Sequence, residues 1–164
     1  MAFANPGSIV KSLGIENGQT VVDIGAGSGA YLEALAERVG GNGIIYAIEI
    51  QKELVTKIGA TVQQFNLKMV KPLWADAEVL GGTTLPDEVA DWVLVANVLS
   101  LSTHSYILVK EVARILKPSG RVVVIDWQKS VSAVKEVLTQ GGFRLVGEVT
   151  AGSHHFGLIL TKTI

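Results

Sequence analysis

The sequence lacks cysteine and long apolar runs. Zero cysteines among 164 residues exclude disulfide bonds, thiolate metal sites and cysteine nucleophiles. A membrane-spanning helix needs about 18 or more uninterrupted apolar residues, and Asp91, Asn97 and Asp126 interrupt the most apolar stretches. Residues 1–14 show no charged start followed by an apolar block, so no signal peptide is expected. We therefore expect a cytoplasmic protein without a membrane span.

An excess of basic charge is also absent. The 14 lysine and arginine residues are balanced by 15 aspartate and glutamate residues, which gives a net charge of −1. Tight nucleic-acid binding relies on a basic surface, so we expect no nucleic-acid partner. Apolar residues make up 48% of the chain and charged residues 18%, a balance typical of a domain with an extensive core. The whole chain, residues 1–164, is predicted to form a single domain.

Apolar segments alternate with helix-periodic segments along the chain. A helix is predicted to start at Asn5 and Pro6 and to stop near Gly14, and further helices are predicted at about 28–39, 51–65, 104–116 and 131–140. The seven predicted strands are residues 20–24, 44–50, 69–74, 91–96, 121–125, 143–149 and 156–161. This alternation predicts a mostly parallel sheet. Pro72 predicts an edge position for the third strand.

The last two strands are separated by a loop, residues 150–155, that is too short for a crossover helix, so we expect them to pair antiparallel. The predicted fold class is therefore α/β: a doubly wound, Rossmann-like, mostly parallel seven-stranded sheet with one antiparallel strand near the C-terminus. Ligands of such sheets bind at the carboxyl ends of the strands. The strand-end residues with polar side chains are Glu49, Asp76, Asn97 and Asp126.

A glycine turn follows the first strand. Gly25, Gly27 and Gly29 alternate with small residues, which lets the backbone turn sharply and approach a ligand. The following helix is expected to start at Ser28 and to direct its first amides at an anionic group. With Glu49 about twenty residues further on, the turn fits both a dinucleotide and another adenosyl ligand. The short chain, Asp76 after the third strand and the reversed last strand favour the second.

These features together resemble the class I S-adenosylmethionine (SAM)-dependent methyltransferases. The similarity is to their small-molecule branch, which includes the ubiquinone and menaquinone biosynthesis type, and it runs through nearly the whole chain. It departs from that pattern at Ser119, where the family usually has glycine, and in the short segment after Trp127. The matching segments are Val22 to Gly29, Glu49, Asp76-Ala77, Ala96-Asn97 and Arg114 to Arg121.

The resemblance implies a role for each matching position. Gly25, Gly27 and Gly29 would lie against the methionine part of SAM, and Asn97 would lie beside its methyl group. Glu49 would accept the ribose hydroxyls, while Asp76 would bind the adenine amino group between Ile50 and Ala77. The sulfonium makes SAM a cation, which suits the carboxylates. The expected cofactor residues are Asp23, Gly25, Ala26, Gly27, Ser28, Gly29, Glu49, Ile50, Asp76, Ala77 and Asn97.

Structural alternatives remain for several of these residues. Asp23 could bind loop amides, Asp76 could cap a helix, and Asn97 could be a turn residue. The general base of the reaction is not identified, with His104 and Asp126 as candidates. The acceptor pocket is expected to involve Tyr31, His104, Asp126 and His155. No metal site is expected, because the adjacent His154 and His155 would point to opposite faces of a strand.

The predicted function is methyl transfer from SAM to a small-molecule acceptor by in-line displacement, by a monomer or homodimer. Two alternatives remain open at this point. One is a SAM-binding, non-catalytic or regulatory subunit, and the other is an NAD(P)-dependent oxidoreductase.

Overall fold

The computed structural model describes residues 4–163, which form one seven-stranded sheet and the helices that flank it. The strands are β1 (Thr20–Ile24), β2 (Ile44–Glu49), β3 (Val70–Trp74), β4 (Ala90–Ala96), β5 (Leu116–Trp127), β6 (Phe143–Glu148) and β7 (His155–Lys162). The helices are α1 (Pro6–Ser12), α2 (Leu32–Val39), α3 (Lys52–Gln64), α4 (Ser105–Ile115) and α5 (Val131–Gln140), with a short 3₁₀ turn at Gln128–Ser130.

The sheet has the strand order β3-β2-β1-β4-β5-β7-β6. Strands β1 to β5 pair in parallel, and β7 pairs antiparallel with both β5 and β6. This confirms the predicted doubly wound sheet with one reversed strand. Strand β3 with its Pro72 lies at one edge, where the missing proline N–H leaves no ladder bond unmade. Because β1 lies between β2 and β4, the chain changes direction across the sheet there, which is where ligands of such sheets bind.

The core has two layers because successive strand residues face opposite sides of the sheet. Val22 and Ile24 of β1 pack in the layer that contains α4 and α5. Val21 packs in the layer that contains α1 and α2. Asp23 therefore lies on the α1 and α2 face, near the end of a strand whose other three buried residues are apolar. In the described part of the chain, no helix has the length and apolarity needed to cross a membrane.

Two elements start more than one residue away from the sequence-based expectation. Helix α2 begins at Leu32 rather than at Ser28, because Gly29 has a φ of +86° that a right-handed helix does not permit. Strand β5 begins at Leu116 rather than at residue 121, where the sequence predicts the start of this strand. Leu116 pairs with Ala90, and the register shifts before the next pair, so this segment is an irregular entry into the strand.

Candidate cofactor-binding site

A cavity of about 580 Å³ opens at the carboxyl ends of β1, β2 and β3 and extends to the N-terminal end of α4. Its walls are mostly apolar, with two carboxylates of the strand ends and a third from the segment after β3. No lysine or arginine is among the described residues that line it. They are Ile24, Gly25, Ile48, Glu49, Ile50, Ala75, Asp76, Ala77, Glu78, Val79, Val98, Thr103, His104, Ile107 and Leu108.

The glycine turn forms one end of this cavity. Gly25 has a φ of +67°, and a Cβ placed on it would lie 2.5 Å from Cγ2 of Val98, so only glycine fits both the backbone and the space. The N–H of Gly29 donates to the carbonyl of Ala26 at 2.8 Å. The predicted helix start at Ser28 is therefore wrong, because α2 begins at Leu32, and the Gly29 amide already has an acceptor, whereas a contact between the Ser28 amide and a ligand stays a prediction.

Glu49 fixes the turn from the neighbouring strand. Its side chain is 6% exposed, and its Oε2 accepts a hydrogen bond from the N–H of Gly27 at 2.9 Å. Its Oε1 accepts one from the N–H of Gln51, also at 2.9 Å. Each carboxylate oxygen keeps a second lone pair. Glu49 is thus held in one orientation by backbone donors and can still accept hydroxyl groups from the cavity.

Asp23 lies beneath the turn and is 2% exposed. Within residues 4–163, no group donates a hydrogen bond to its Oδ2. Burial, and then the nearby charge of Glu49, raise the pKa of Asp23 to about 8. Burial, followed by the charge of Asp23, raises the pKa of Tyr31 to about 12. Tyr31 packs in the α1 and α2 layer and does not line the cavity.

The opposite wall contains the residues expected to bind adenine. Asp76 follows β3, and its Oδ1 accepts a hydrogen bond from the N–H of Glu78 at 2.8 Å. Its Oδ2 accepts no hydrogen bond from the described residues, so a ligand can bind there without displacing one. Ala77 is buried, whereas Ile50 is 56% exposed at the rim. The structure therefore brings Glu49, Ile50, Asp76 and Ala77 around one cavity.

A cluster that the sequence analysis missed joins the two sides of the mouth. Oε2 of Glu78 accepts hydrogen bonds from Oγ1 of Thr103 at 3.2 Å and from the N–H of His104 at 3.1 Å. Nδ1 of His104 lies 3.2 Å from the same oxygen, and the imidazole is 62% exposed. Glu78 and His104 are far apart in the sequence, so no local pattern could have paired them. His104 is thus at the rim of the cavity.

Asp126 does not belong to this cavity. It is 1% exposed, and its Oδ2 accepts a hydrogen bond from the N–H of Ser100 at 3.0 Å. Its Oδ1 accepts one from the N–H of Trp127 at 2.8 Å. The structure argues against Asp126 as a general base or pocket residue, because its carboxylate ties the end of β5 to the segment after β4.

Seven other candidates are also not among the described residues that line the cavity: Asp23, Ala26, Gly27, Ser28, Gly29, Asn97 and His155. Asn97 is exposed at the end of β4 with a φ of 55°, and its N–H donates to the carbonyl of Ile125, which fits the turn alternative. Ser28 is exposed in the glycine turn. His155 is 7% exposed and stacks against Trp127 at 4.3 Å between ring centroids.

Comparison with known proteins decides the family. Residues 15–155 match the family model described as a methyltransferase domain. The chain belongs to this methyltransferase family. A relative from Laribacter hongkongensis (strain HLHK9), named ubiquinone/menaquinone biosynthesis C-methyltransferase UbiE, is 31% identical over 146 residues, which cover 87% of this chain and 58% of that protein. A protein of the same name from Neisseria meningitidis serogroup C (strain 053442) is 30% identical over 138 residues, covering 84% and 54%.

Solved structures of methyltransferases share the fold. A SAM-dependent methyltransferase from Aquifex aeolicus superposes with a TM-score of 0.90 at 28% identity, covering 98% of this chain and 91% of that one. By contrast, this methyltransferase domain spans somewhat more than half the length of the UbiE relatives it matches. Family and fold confirm SAM as the cofactor expected from the sequence, and they do not favour the NAD(P)-dependent alternative.

The cavity of this methyltransferase domain suits SAM chemically. Glu49 and Asp76 present carboxylates to a ligand that carries a sulfonium cation, whereas Asp23 lies beneath the glycine turn and is not among the described residues that line the cavity. A pyrophosphate would instead need positive charge or free backbone donors. The Gly27 amide is already bonded to Glu49 and the Gly29 amide to Ala26. The electrostatics therefore fit a cationic adenosyl ligand better than a dinucleotide.

Proposed function

We propose that this methyltransferase domain transfers the methyl group of SAM to a small-molecule acceptor by in-line displacement at sulfur. The observation that supports it is the cavity, which combines the glycine turn with carboxylates at neighbouring strand ends and has no lysine or arginine among the described lining residues. SAM supplies an electrophilic methyl group and a thioether leaving group. The residues of the chain then need only position acceptor and methyl within about 3–3.5 Å of each other.

The proposal gives each wall of the cavity one task. Glu49 accepts the ribose hydroxyls, because its orientation is already fixed by the Gly27 and Gln51 amides. Asp76 accepts the adenine amino group, and Ile50 with Ala77 packs on the ring. Gly25 leaves room for the methionine part, since any side chain there would meet Val98.

The acceptor is proposed to be a neutral, largely apolar molecule. Val79 and Ile107 line the cavity and are 53% and 38% exposed, so the mouth offers apolar surface beside the Glu78–His104 pair. The name of the UbiE relatives suggests a carbon acceptor for this chain as well. A carbon acid must lose a proton, and His104 is the candidate base at the mouth. The cytoplasmic location of the protein and its monomeric or homodimeric state remain predictions.

Binding and turnover test this proposal separately. Isothermal titration with SAM and with S-adenosylhomocysteine measures binding, and thermal shifts with SAM, NAD and NADP compare ligands, because a ligand stabilises the folded state by RT ln(1 + [L]/Kd). We expect shifts with SAM but not with NAD or NADP. Radiolabelled SAM with a panel of demethylated quinols, phenols and carbon acids then tests transfer. Glu49→Gln should weaken SAM binding, and Glu136→Gln on the exposed face of α5 is the matched control.

Two results would contradict the proposal. A thermal shift with NAD alone would favour the oxidoreductase alternative. If SAM binds tightly but its label is transferred neither to an acceptor of the panel nor to a compound in a cell extract, a non-catalytic SAM-binding subunit is favoured.

A further inference from the structure

Glu78 is held in place at two points, although its side chain is 27% exposed. Its N–H donates to Oδ1 of Asp76 at 2.8 Å, which ties it to the wall proposed to bind adenine. Its Oε2 accepts the N–H of His104 at 3.1 Å and the hydroxyl of Thr103 at 3.2 Å. Burial would raise the pKa of Glu78, but the hydroxyl, imidazole and amide groups around it outweigh burial and lower that pKa. The mouth of the cavity therefore contains a fixed carboxylate that is ionised at neutral pH.

The same carboxylate oxygen faces one nitrogen of the His104 ring. Nδ1 of His104 lies 3.2 Å from Oε2 of Glu78 and 3.1 Å from Oγ1 of Thr103. A neutral imidazole has a proton on one nitrogen and a lone pair on the other, and a carboxylate can only accept. A proton on Nδ1 would be bonded by Glu78, whereas a lone pair there would face its negative oxygen. The Thr103 hydroxyl fits the first arrangement, because it can donate to Glu78 and offer a lone pair to Nδ1.

The position of this proton decides whether His104 can act as a base. A general base offers a lone pair to the proton that it removes, and the hydrogen bond made by one ring nitrogen determines the state of the other. With the proton on Nδ1, the lone pair is on Nε2, which is not the nitrogen that contacts Glu78. His104 lines the cavity and its ring is 62% exposed, so a molecule in the mouth can reach it.

We propose that Glu78 is a positioning residue for methyl transfer, which holds neutral His104 with its proton on Nδ1 and thereby keeps Nε2 available as the base. This inference rests on the proposed function. Nε2 of His104 takes the proton of the acceptor C–H bond, and the electron pair of that bond forms the new bond to the methyl carbon. The electron pair of the methyl–sulfur bond stays on sulfur. The imidazolium keeps its Nδ1 proton against the Glu78 carboxylate, which stabilises its charge, and releases its Nε2 proton to solvent.

The tautomer of His104 can be measured without turnover. The chain has three histidines, so protein labelled with ¹⁵N-histidine gives few ring signals in long-range ¹H–¹⁵N spectra, and His104→Gln identifies those of His104. The spectra are recorded at about pH 8.5, well above the ordinary pKa of histidine. In the wild type we expect the proton on Nδ1. In Glu78→Ala the signals should move toward the tautomer with the proton on Nε2, and in Glu136→Ala, on the exposed face of α5, they should not move.

Kinetics with an acceptor of the panel that the wild type methylates test the catalytic consequence. A general base contributes about 10²–10⁴-fold to the rate, so His104→Gln should lower kcat by about a hundredfold or more. Glu78→Ala keeps the base and should lower kcat less, by about tenfold. The Kd of adenosine should stay the same in Glu78→Ala, because the bond to Asp76 comes from the backbone N–H of residue 78. Glu136→Ala should match the wild type in both measurements.

The outcomes separate this inference from the proposed function. If the wild type binds SAM but methylates no acceptor, both fall. If the wild type transfers label but His104 has its proton on Nε2, only the role of Glu78 is overturned. The same holds if Glu78→Ala keeps either the wild-type tautomer or the wild-type kcat, or if His104→Gln keeps full turnover. Should Glu78→Ala fail to fold, the wild-type spectrum still decides, since a proton on Nε2 contradicts the proposal.

Discussion

Replacing Glu111 by glutamine should destabilise the fold strongly. Glu111 of α4 is fully buried, and its carboxylate accepts hydrogen bonds from the N–H of Gly81 at 2.7 Å and from the Thr83 hydroxyl and N–H. Two further bonds come from the Arg114 guanidinium, at 2.9 and 2.7 Å. These bonds attach the loop after the adenine wall to α4. A glutamine amide would direct two N–H donors at groups that are themselves donors.

The magnitude follows from the pKa of Glu111. Burial alone would raise this pKa, but the hydrogen bonds from Arg114, Thr83 and Gly81 outweigh burial and lower it from 4.5 to about 2. At about 1.4 kcal/mol per pH unit, the carboxylate contributes about 3 kcal/mol. This is close to the cost of about 3–5 kcal/mol for breaking a buried ion pair. Because the folded-state pKa is lowered, the contribution is complete above about pH 4.5 and is lost as the pH falls toward 2.

Urea unfolding of the wild type, Glu111→Gln and Asp87→Asn at about pH 7 and at lower pH tests this. Asp87 contacts the same guanidinium at 2.6 Å but is 76% exposed, so its loss should cost less than about 1 kcal/mol. Glu111→Gln should lose about 3 kcal/mol at pH 7, and its stability should fall less than that of the wild type below pH 4.5. Equal losses in the two variants, or parallel acid profiles for wild type and Glu111→Gln, would refute the reasoning.

Three further predictions concern the cavity. Gly25→Ala should abolish SAM binding in a thermal-shift assay, because the added Cβ would lie 2.5 Å from the Val98 side chain. The control is Gly18→Ala, at a position that also has a positive φ but no atom within 4 Å of an added Cβ, and this variant should still bind SAM. Binding of SAM by Gly25→Ala would contradict the prediction. Glu49→Gln should weaken SAM by about 1.5–3 kcal/mol, roughly tenfold to more than a hundredfold by titration, and unchanged affinity would remove Glu49 from the site. Asp76→Asn should weaken the binding of adenosine itself by about threefold to tenfold, measured by competition. If the substitution instead weakened only ligands that carry the methionine part, Asp76 would not be an adenine-binding residue.

The features that the sequence predicted well are those with a local cause. Strand β1 and the turn after it have an apolar run followed by alternating glycines, and both occur where expected. The start of α2 was predicted too early, because the pattern of apolar residues does not show that Gly29 has a left-handed conformation. The edge position of β3 followed from the missing N–H of Pro72, which is also a local property.

The features that the sequence did not predict depend on contacts between distant residues. Strand-end position alone made Asp126 a candidate for chemistry, yet the N–H of Ser100, which lies on another segment, accounts for one of its oxygens. Glu78 escaped notice because its partners Thr103 and His104 reach it only through the fold. The strand-end carboxylates Glu49 and Asp76 come together as the parallel topology requires, since neighbouring strand ends must meet at one edge.

The double use of Glu49 has a consequence for how ligands are recognised. The Glu49 carboxylate accepts hydrogen bonds from the amides of Gly27 and Gln51, so this end of the cavity has its shape before a ligand binds. A ligand that binds to a preorganised site loses little binding free energy to the ordering of the protein. Small rigid adenosine analogues are therefore a sensible starting point for inhibitors. Changes that increase their affinity should be directed at the end of the cavity near α4 rather than at the end formed by Glu49 and the glycine turn.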